Sequence, residues 1–312
     1  MRPYTVVWCG LVSLAGACIT LGGLPTLRIT VLSMLIPIMG WIAGLYLSDY
    51  LDRKLDSIQK PHRPIPSGRI KPKEAIAVGI LFASTGLFLS SLLNIYNLML
   101  VFVVAALVFA YARFSKSHGI IGNLNRGIII IAAYLFGVFS VNTPLQLIPT
   151  YVWLLSPVFL VHDTNSNLVG TIRDMQGDKK GGYITIPVKY GLKTTIQISI
   201  ILSITYILLT IITTAYYRFL QHPIQFYTLL ALSITILIIM YLKTLRPLNK
   251  IDRKRALRAH EYFVIERTTL ANAFIIGMID PLYISLTIYI LTIGITLISQ
   301  HMIRDRYEFE NI

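Results

Sequence analysis

Long apolar stretches with almost no charge dominate this sequence. Nine of them reach, or nearly reach, the ~20 residues that a helix needs to cross the ~30 Å hydrocarbon core of a bilayer. They span residues 4–23, 29–48, 74–93, 97–113, 125–142, 148–168, 194–216, 225–243 and 270–300. Hydrophobic residues make up 55% of the 312 positions and charged residues 13%, which is typical of membrane proteins. We therefore predict an all-α, polytopic membrane protein with about nine transmembrane helices.

Basic residues indicate how these helices are oriented. All but four of the 28 Lys and Arg lie at Arg2 or in the segments after the second, fourth, sixth and eighth stretches. Positively charged loops stay in the cytoplasm, so the N-terminus is predicted to be inside and, with an odd number of spans, the C-terminus outside. This topology accounts for most of the net charge of +14. We therefore expect no nucleic-acid partner.

The loops are too short to form a soluble domain, so residues 1–312 are predicted to form one transmembrane domain. The turns on the outer side are mostly short, whereas the cytoplasmic segments are long and polar. Two of these segments, 48–73 and 167–193, each contain acidic residues, then a basic run, then a return rich in Pro and Gly. We expect a multi-pass protein of the cell membrane whose chemistry takes place on the cytoplasmic side.

Two features near the C-terminal end allow more than one interpretation. Six basic residues lie among apolar ones from Lys250 to Arg267, which is typical of an amphipathic helix on the membrane surface, although a cap over the polar motifs also fits. Asp280-Pro281 interrupts the ninth stretch. Because proline breaks or kinks a helix, we expect a hinge between a short helix, 268–279, and the last span.

The first acidic motif stands where the second apolar stretch ends. Asp49, Asp52 and Asp56 follow Ser48, and residues three or four apart lie on one face of a helix. Ser48, Asp52 and Asp56 therefore share a face, with Asp49 at its edge. Mixed charges in a cytoplasmic loop are usually just solvated, so this motif alone is weak evidence of a site.

The second acidic motif begins inside the sixth stretch. At about 100° per residue, Asp163, Asn167, Asp174 and Asp178 fall on one helix face. They form a polar stripe that runs down into the membrane. A carboxylate there costs ~2.5–3.5 kcal/mol on insertion scales and marks a candidate functional site. Two acidic sets at span exits on the same side indicate a shared site.

Carboxylates in two facing sets are suited to one kind of chemistry. They are hard oxygen ligands, and Mg²⁺ in proteins is held by one or two carboxylates together with substrate phosphates and water. Such ions would clamp a diphosphate and stabilise the charge that develops as it leaves. Nearby Arg and Lys side chains would add hydrogen bonds. The motifs therefore predict metal-assisted ionisation of a diphosphate.

These segments resemble the UbiA superfamily of intramembrane prenyltransferases. The segment SDYLDRKLDSIQKPHRPIPSG, 48–68, is similar to the family's first motif, Asn-Asp-x-x-Asp-x-x-x-Asp followed by Lys-Pro-x-Arg-Pro. The segment TIRDMQGDKKGGYITIPVKYG, 171–191, is similar to the second motif of the menaquinone, chlorophyll and archaeal-lipid branches. Tyr111, Lys116, Gly122 and Asn123 match family positions between the two. The resemblance covers essentially the whole chain.

The resemblance implies a helical bundle around a central cavity, with the prenyl tail in an apolar tunnel and Mg²⁺ and diphosphate at the cytoplasmic mouth. The implied metal ligands are Asp49, Asp52, Asp56, Asp174 and Asp178. The implied diphosphate contacts are Ser48, Arg63, Tyr111, Lys116, Asn123, Arg173 and Lys179. Asp163 and Asn167 are candidates for the acceptor pocket. The implied partners are a polyprenyl diphosphate, a small and possibly aromatic acceptor, and the lipid bilayer.

Two positions depart from the family pattern. Ser48 stands where the family usually has Asn, and Asn167 stands where some branches carry an acid. The branch that uses 4-hydroxybenzoate reads Asp-x-x-Tyr-Ala-x-x-Asp at the second position, whereas this chain reads Asn-Leu-Val-Gly-Thr-Ile-Arg-Asp. The acceptor of that branch is therefore not assigned to this chain.

Three functions remain open from the sequence. Transfer of a prenyl group to a small acceptor and cyclisation of the prenyl chain itself need the same aspartates and Mg²⁺. A transporter or lipid-binding protein is the third, although transporters place their polar sites near the bilayer midplane in two repeated halves. In this chain the acidic residues are concentrated at one face, which favours an enzyme.

Overall fold

The structure is a computed structural model that describes residues 3–59 and 63–304. Lys60, Pro61 and His62 of the first motif, and Arg2, lie outside the described residues. The described part forms ten α-helices. They are α1 (Pro3–Leu21), α2 (Leu27–Gln59), α3 (Pro72–Ser91), α4 (Ile95–Arg113), α5 (Ile120–Ser140), α6 (Thr150–Lys180), α7 (Ile186–Tyr217), α8 (Pro223–Thr244), α9 (Arg253–Ile276) and α10 (Leu282–Arg304).

The expected bundle of membrane-spanning helices is confirmed. Within the described residues, eight helices are long and apolar enough to cross a membrane, namely α1 to α5, α7, α8 and α10. The first eight predicted stretches correspond to α1 to α8 in order. Helices α6 and α9 fall outside the eight because their polar residues face the interior of the bundle, where the neighbouring helices shield them from lipid.

Helix α9 corrects the prediction for residues 250–267. The surface-helix prediction is wrong for the second half of this segment, because the helix continues without a break to Ile276 and is mostly buried from Ala259 onward. Its first turns keep exposed side chains such as Lys254 and Arg258. His260 and Arg267 line the cavity described below. Glu266 and Arg267 are 0% and 3% exposed. Glu266 accepts hydrogen bonds from Ser233 at 2.8 Å and from Tyr206 at 3.1 Å. Polar groups on α7 and α8 therefore satisfy the buried charge of Glu266.

Helix α9 also changes the predicted topology, because it is a separate helix before α10 and changes the face on which the last helix ends. The turn before α10 packs on the turn between α7 and α8, since the backbone N–H of Gln221 donates to the Gly277 oxygen at 2.9 Å. At the opposite face, Arg304 at the end of α10 lies 4.5 Å from the ring of Tyr4 in the first turn of α1. The two ends of the described chain thus lie on the same face. The prediction that the last helix ends on the opposite side from the start of the first is therefore wrong for the described residues, because α9 is a separate helix before α10.

The expected break at Asp280-Pro281 is confirmed. Helix α9 ends at Ile276 and α10 begins at Leu282. The preceding helix is longer than the predicted 268–279, so the ninth stretch is the end of one helix and most of another.

Helix α1 lies inside the bundle and packs closely against α5. A Cβ atom at Gly137 would lie 1.7 Å from the backbone oxygen of Ser13, and one at Gly16 would lie 2.3 Å from that of Tyr134. Small residues at such crossings let helix backbones approach within a membrane. This contact fixes α5 beside α1, and with it the inner wall of the cavity described below.

Candidate active site

One large cavity opens at the face where α2 and α6 end. Its volume is about 1020 Å³, and its walls come from α1 to α6, α9 and the end of α10. Both acidic motifs line it, so the structure brings together the two sets that are more than 100 residues apart in the chain. The cavity then continues between α2, α3 and α4, where its lining is apolar. These lining residues include Ile36, Phe82, Leu100, Val104 and Val108.

The first motif lies on the last turns of α2, with its polar face toward the cavity. Ser48, Asp49, Asp52 and Asp56 all line the opening, as the helical spacing predicted. Arg63, in the loop after α2, lies against the motif and donates to Asp56 at 2.7 Å and to Asp49 at 3.4 Å. Asp56 is nearly buried, whereas 42% of the Asp49 side chain is exposed. Asp49 therefore lies at the rim.

The second motif faces the first from the end of α6. Asp174 and Asp178 line the cavity, and the guanidinium of Arg173 donates to Asp174 at 2.8 and 3.2 Å. The hydroxyl of Thr185, which precedes α7, lies 3.3 Å from Asp178 Oδ2. The turn of Gly181 and Gly182 reverses the chain here, and Gly182 adopts a φ of 73° that suits glycine.

Lys116 is held between the two motifs by a short backbone pairing. The Ser117 oxygen accepts a hydrogen bond from the Ile184 N–H at 2.9 Å, which ties the loop after α4 to the loop before α7. Lys116 Nζ forms an ion pair with Asp52 and lies 5.8 Å from the ring of Tyr183. Burial, together with the charges of Asp52 and other nearby acids, raises the pKa of Tyr183 to about 12, so this residue remains a neutral phenol at physiological pH.

The donor set of the cavity mouth fits Mg²⁺ that is bound together with a phosphate ligand. The described residues contain no group of three or more His, Cys, Asp or Glu that would hold an ion alone. Instead, single carboxylates from α2 and α6 face a common space, and Asp49, Asp52, Asp56 and Asp174 each contact a basic side chain. Mg²⁺ commonly takes one or two carboxylates and completes its shell with substrate phosphates and water. Asp52, Asp56, Asp174 and Asp178 are the residues available to hold it.

The polar stripe of α6 continues into the cavity as predicted, beginning with Asp163. The preceding residue, His162, is also polar but lies on a different face of the helix. Asp163 lines the cavity and accepts a hydrogen bond from Trp8 Nε1 at 3.1 Å. His162 faces away from the cavity and contacts Glu266 at 2.7 Å, with both side chains fully buried. His162 is therefore part of the packing of α6 against α9, and Asp163 is the cavity residue.

Four further predicted residues lie in different environments. Tyr111 and Asn167 both line the cavity. Asn123 lies behind this wall, where its side-chain amide is 2.8 Å from that of Asn167, so it supports the lining from outside. Lys179 is exposed at the end of α6 and is absent from the lining. Its predicted contact with diphosphate is not supported, because a step of one residue from Asp178 turns it about 100° away.

Some cavity residues could not be identified from the sequence, and two arginines are the most important of them. Arg126 and Arg267 both line the cavity, yet the sequence placed them among the basic residues of cytoplasmic loops. The sequence does contain a signal that these arginines are inside the bundle. Each arginine is followed by an apolar run that belongs to the same helix. A charged residue one or more turns inside such a helix faces the bundle interior.

Comparison with known proteins identifies the family. The model of the UbiA prenyltransferase family matches residues 7–264. Digeranylgeranylglyceryl phosphate synthase of Methanobrevibacter smithii is 31% identical over 252 residues, which are 79% of this chain and 86% of that protein. The synthase of Thermococcus kodakarensis is 30% identical over 203 residues, 65% of this chain and 72% of that protein.

Solved structures share the same fold at lower identity. An apo UbiA homologue from Aeropyrum pernix K1 has a TM-score of 0.75 at 18% identity, over 89% of this chain and 99% of that chain. A UbiA homologue from Archaeoglobus fulgidus bound to DMAPP and Mg²⁺ has a TM-score of 0.57 at 15% identity, over 97% and 98%. With its two acidic motifs at one cavity mouth, the chain belongs to the UbiA prenyltransferase family.

Proposed function

We propose that this membrane prenyltransferase, whose cofactor is Mg²⁺, transfers a polyprenyl group to an acceptor of the glyceryl phosphate type. The observation that carries the proposal is the convergence of two aspartate pairs, on α2 and α6, at the mouth of a cavity that continues into an apolar tunnel. The mouth is flanked by the basic segments of the chain, and we place it on the cytoplasmic side for that reason.

The tunnel between α2, α3 and α4 suits the prenyl tail. Its lining is aliphatic and aromatic, and burying a CH₂ group in such a lining gives about 0.8 kcal/mol. The outer surfaces of α3 and α4 expose apolar side chains such as Leu81, Phe88 and Phe102, which suit contact with lipid. A substrate with a long apolar tail would thus be held at its diphosphate by the mouth and along its tail by the tunnel.

The residues of the mouth would assist departure of the diphosphate. The bond between C1 of the prenyl chain and the diphosphate oxygen breaks, and its electron pair leaves with the diphosphate. When bound by Asp52, Asp56, Asp174 and Asp178, Mg²⁺ supplies Lewis-acid stabilisation of that developing charge. Lys116 and Arg63 add hydrogen bonds from fixed positions. The remaining allylic cation is stabilised by the carboxylates and aromatic faces around it.

The acceptor then forms the new bond. Its hydroxyl oxygen attacks C1 and loses its proton, so that an ether is formed and the charge balances. We assign the proton to Asp163, which lines the cavity and whose Oδ2 has no hydrogen-bond partner among the described residues. Trp8 binds the other oxygen of this carboxylate at 3.1 Å and so fixes its orientation. A general base of this kind contributes ~10²- to 10⁴-fold to a rate.

The glyceryl phosphate acceptor is favoured over an aromatic one by the relatives. The curated relatives described above are named digeranylgeranylglyceryl phosphate synthase. The second motif also lacks the pattern that the resemblance associates with 4-hydroxybenzoate, since Asn167 and Gly170 stand at the Asp and Tyr positions. The resemblance left an aromatic acceptor possible, so 4-hydroxybenzoate is included as the third arm of the test.

Product analysis tests this proposal directly. Purified protein in lipid nanodiscs is incubated with Mg²⁺ and geranylgeranyl diphosphate in three arms: no acceptor, geranylgeranylglyceryl phosphate, and 4-hydroxybenzoate. We expect Mg²⁺-dependent release of diphosphate and a doubly prenylated glyceryl phosphate in the second arm, with little turnover in the others. Farnesyl and geranyl diphosphate in the same arms measure the preferred chain length.

Three outcomes would contradict the proposal. A cyclic hydrocarbon or alcohol in the arm without acceptor would show a terpene cyclase. A prenylated aromatic product would assign the other acceptor class. No Mg²⁺-dependent release of diphosphate in any arm, with any of the three chain lengths, would contradict prenyl transfer altogether.

A further inference from the structure

The cavity has a second charged region that lies deeper than the two aspartate pairs. Asp163 precedes Asp174 by eleven residues on the same face of α6, which places it about 16 Å further along the helix axis. Arg126 from α5 and Arg267 from α9 line the cavity in this region. We call Arg126 and Arg267 the arginine pair. Neither residue is among the diphosphate contacts that the family resemblance implies.

Arg267 is buried but incompletely bonded. It is 3% exposed, and its NH2 group donates to the backbone oxygen of Tyr4 at 3.2 Å. Its Nε has no hydrogen-bond partner in the described part of the chain. A buried donor at a cavity wall without a partner costs free energy until a ligand accepts from it. The side chain is thus a candidate contact for an anion inside the cavity.

Arg126 presents a second guanidinium to the same space. Its Cζ lies 4.2 Å from the ring of Trp41 and 5.7 Å from that of Tyr111. Stacking occupies the flat face of a guanidinium and leaves the N–H groups at its edge directed outward. The closest carboxylate oxygen, Asp163 Oδ2, is 3.9 Å from NH2, which is too far for a hydrogen bond.

The charges of this region do not balance. Among the described residues, the two guanidinium groups of the arginine pair face one carboxylate, Asp163, at the cavity wall, and a neighbouring histidine adds no negative charge. That histidine, His260, lines the cavity and has its Nδ1 2.6 Å from a guanidinium nitrogen of Arg304, so it accepts from that cation. Buried charge is costly unless it is paired. An anionic ligand would offset this excess positive charge.

We propose that the arginine pair binds the anionic phosphate of the acceptor, and so selects phosphorylated over neutral acceptors. This inference rests on the proposed function, because it assumes that an acceptor enters the cavity. Two phosphate sites then lie in one cavity, with the donor diphosphate at the aspartate pairs and the acceptor phosphate beyond them. The acceptor hydroxyl would lie between the two, near C1 of the donor.

Arg267 and the end of α10 lie outside the region that the family model matches, which stops at residue 264. The family motifs of the mouth therefore do not include this half of the region. It depends on α9, the helix that the sequence analysis took for a surface segment.

Kinetics with two matched acceptors tests the proposal. Wild-type protein, R267M and R126M are compared with geranylgeranylglyceryl phosphate and with its dephosphorylated alcohol. A charge-assisted hydrogen bond contributes enough for a ~10- to 100-fold effect. We expect each variant to raise KM for the phosphate acceptor by about that factor, with KM for geranylgeranyl diphosphate unchanged and with little change in activity toward the alcohol. The conservative variant R267K should restore part of the loss.

A control on the same helix separates binding from folding. Arg258 lies on α9 with half of its side chain exposed, pairs with Glu261 at 2.8 Å and does not line the cavity, so R258M should behave as wild type. Should R267M fail to fold, R126M and R126K carry the same comparison.

The proposal is overturned if the variants lose activity equally toward both acceptors, or if KM for the phosphate acceptor stays at the wild-type value. Wild-type protein that releases no diphosphate with any acceptor contradicts the proposed function instead, so the two failures are distinguishable.

Discussion

Lys116 and Lys179 show that the direction of a side chain, and not its motif alone, decides whether it can contact the diphosphate. Both stand in segments that resemble family motifs, and the sequence assigned both to the diphosphate. Lys116 lines the cavity and pairs with Asp52, held there by the backbone contact between Ser117 and Ile184. Lys179 follows Asp178 on α6 and points to solvent. Electrostatic assistance depends on preorganised charge close to the reacting atoms, and only Lys116 meets that condition.

The two lysines form a matched pair of variants. We expect K116M to lower kcat/KM for the prenyl diphosphate by ~10²- to 10³-fold, the effect of losing one preorganised donor. K179M should stay within about threefold of wild type, as an exposed charge contributes little. Steady-state release of diphosphate measures both. Equal losses in the two variants would show that the cavity geometry does not decide the role.

The acidic residues of the site could be predicted from the sequence because carboxylates at span exits have few structural explanations. The helical spacing placed Asp52 and Asp56 on one face, and the structure confirms that this face lines the cavity. The arginine pair could not be predicted in the same way. Arg126 and Arg267 look like ordinary loop cations until the helices that contain them are known.

At the scale of the element, helix α9 is the main difference between expectation and structure. Its sequence is rich in charge, and charge near a membrane usually indicates a surface segment. The structure instead buries Glu266 against His162, Tyr206 and Ser233 from three neighbouring helices. A hydropathy scale penalises every charged residue whether or not it is paired. A helix whose polar groups are hydrogen-bonded inside the bundle is therefore not recognised as a membrane helix from hydropathy.

The contact between α1 and α5 gives a prediction for this scale. G137A would place a methyl group against the backbone of Ser13, at 1.7 Å from its oxygen, so the helices must separate. Overpacking of this kind costs ~1–3 kcal/mol or more, and we expect a clearly lower Tm in detergent, measured by thermal unfolding.

Gly294 on α10 is the matched control for this substitution. A Cβ atom there meets nothing within 4 Å, and alanine is the better helix former by ~1 kcal/mol. G294A should therefore keep or raise the Tm. A Tm for G137A as high as that for G294A would contradict the close approach of α1 and α5.

At the scale of the whole molecule, the predicted helical bundle and its cavity are confirmed, whereas the predicted placement of the first and last helix ends on opposite faces is not. Eight apolar stretches could be assigned to helices in order, because each is long enough to span a membrane and is bounded by polar turns. The position of the last helix could not, since it depends on whether 250–267 crosses the bundle. With α9 and α10 as separate helices, the chain end at Arg304 returns to the face of Tyr4.

The central claim is that two aspartate pairs from distant parts of the chain act together at one Mg²⁺-dependent site. The rate of diphosphate release from geranylgeranyl diphosphate, measured across a Mg²⁺ titration, tests it in D52N, D174N and D49N. We predict a loss of at least ~10²-fold in both D52N and D174N, with a smaller loss in D49N, which lies at the exposed rim. Wild-type rates and Mg²⁺ dependence in either D52N or D174N would contradict the account.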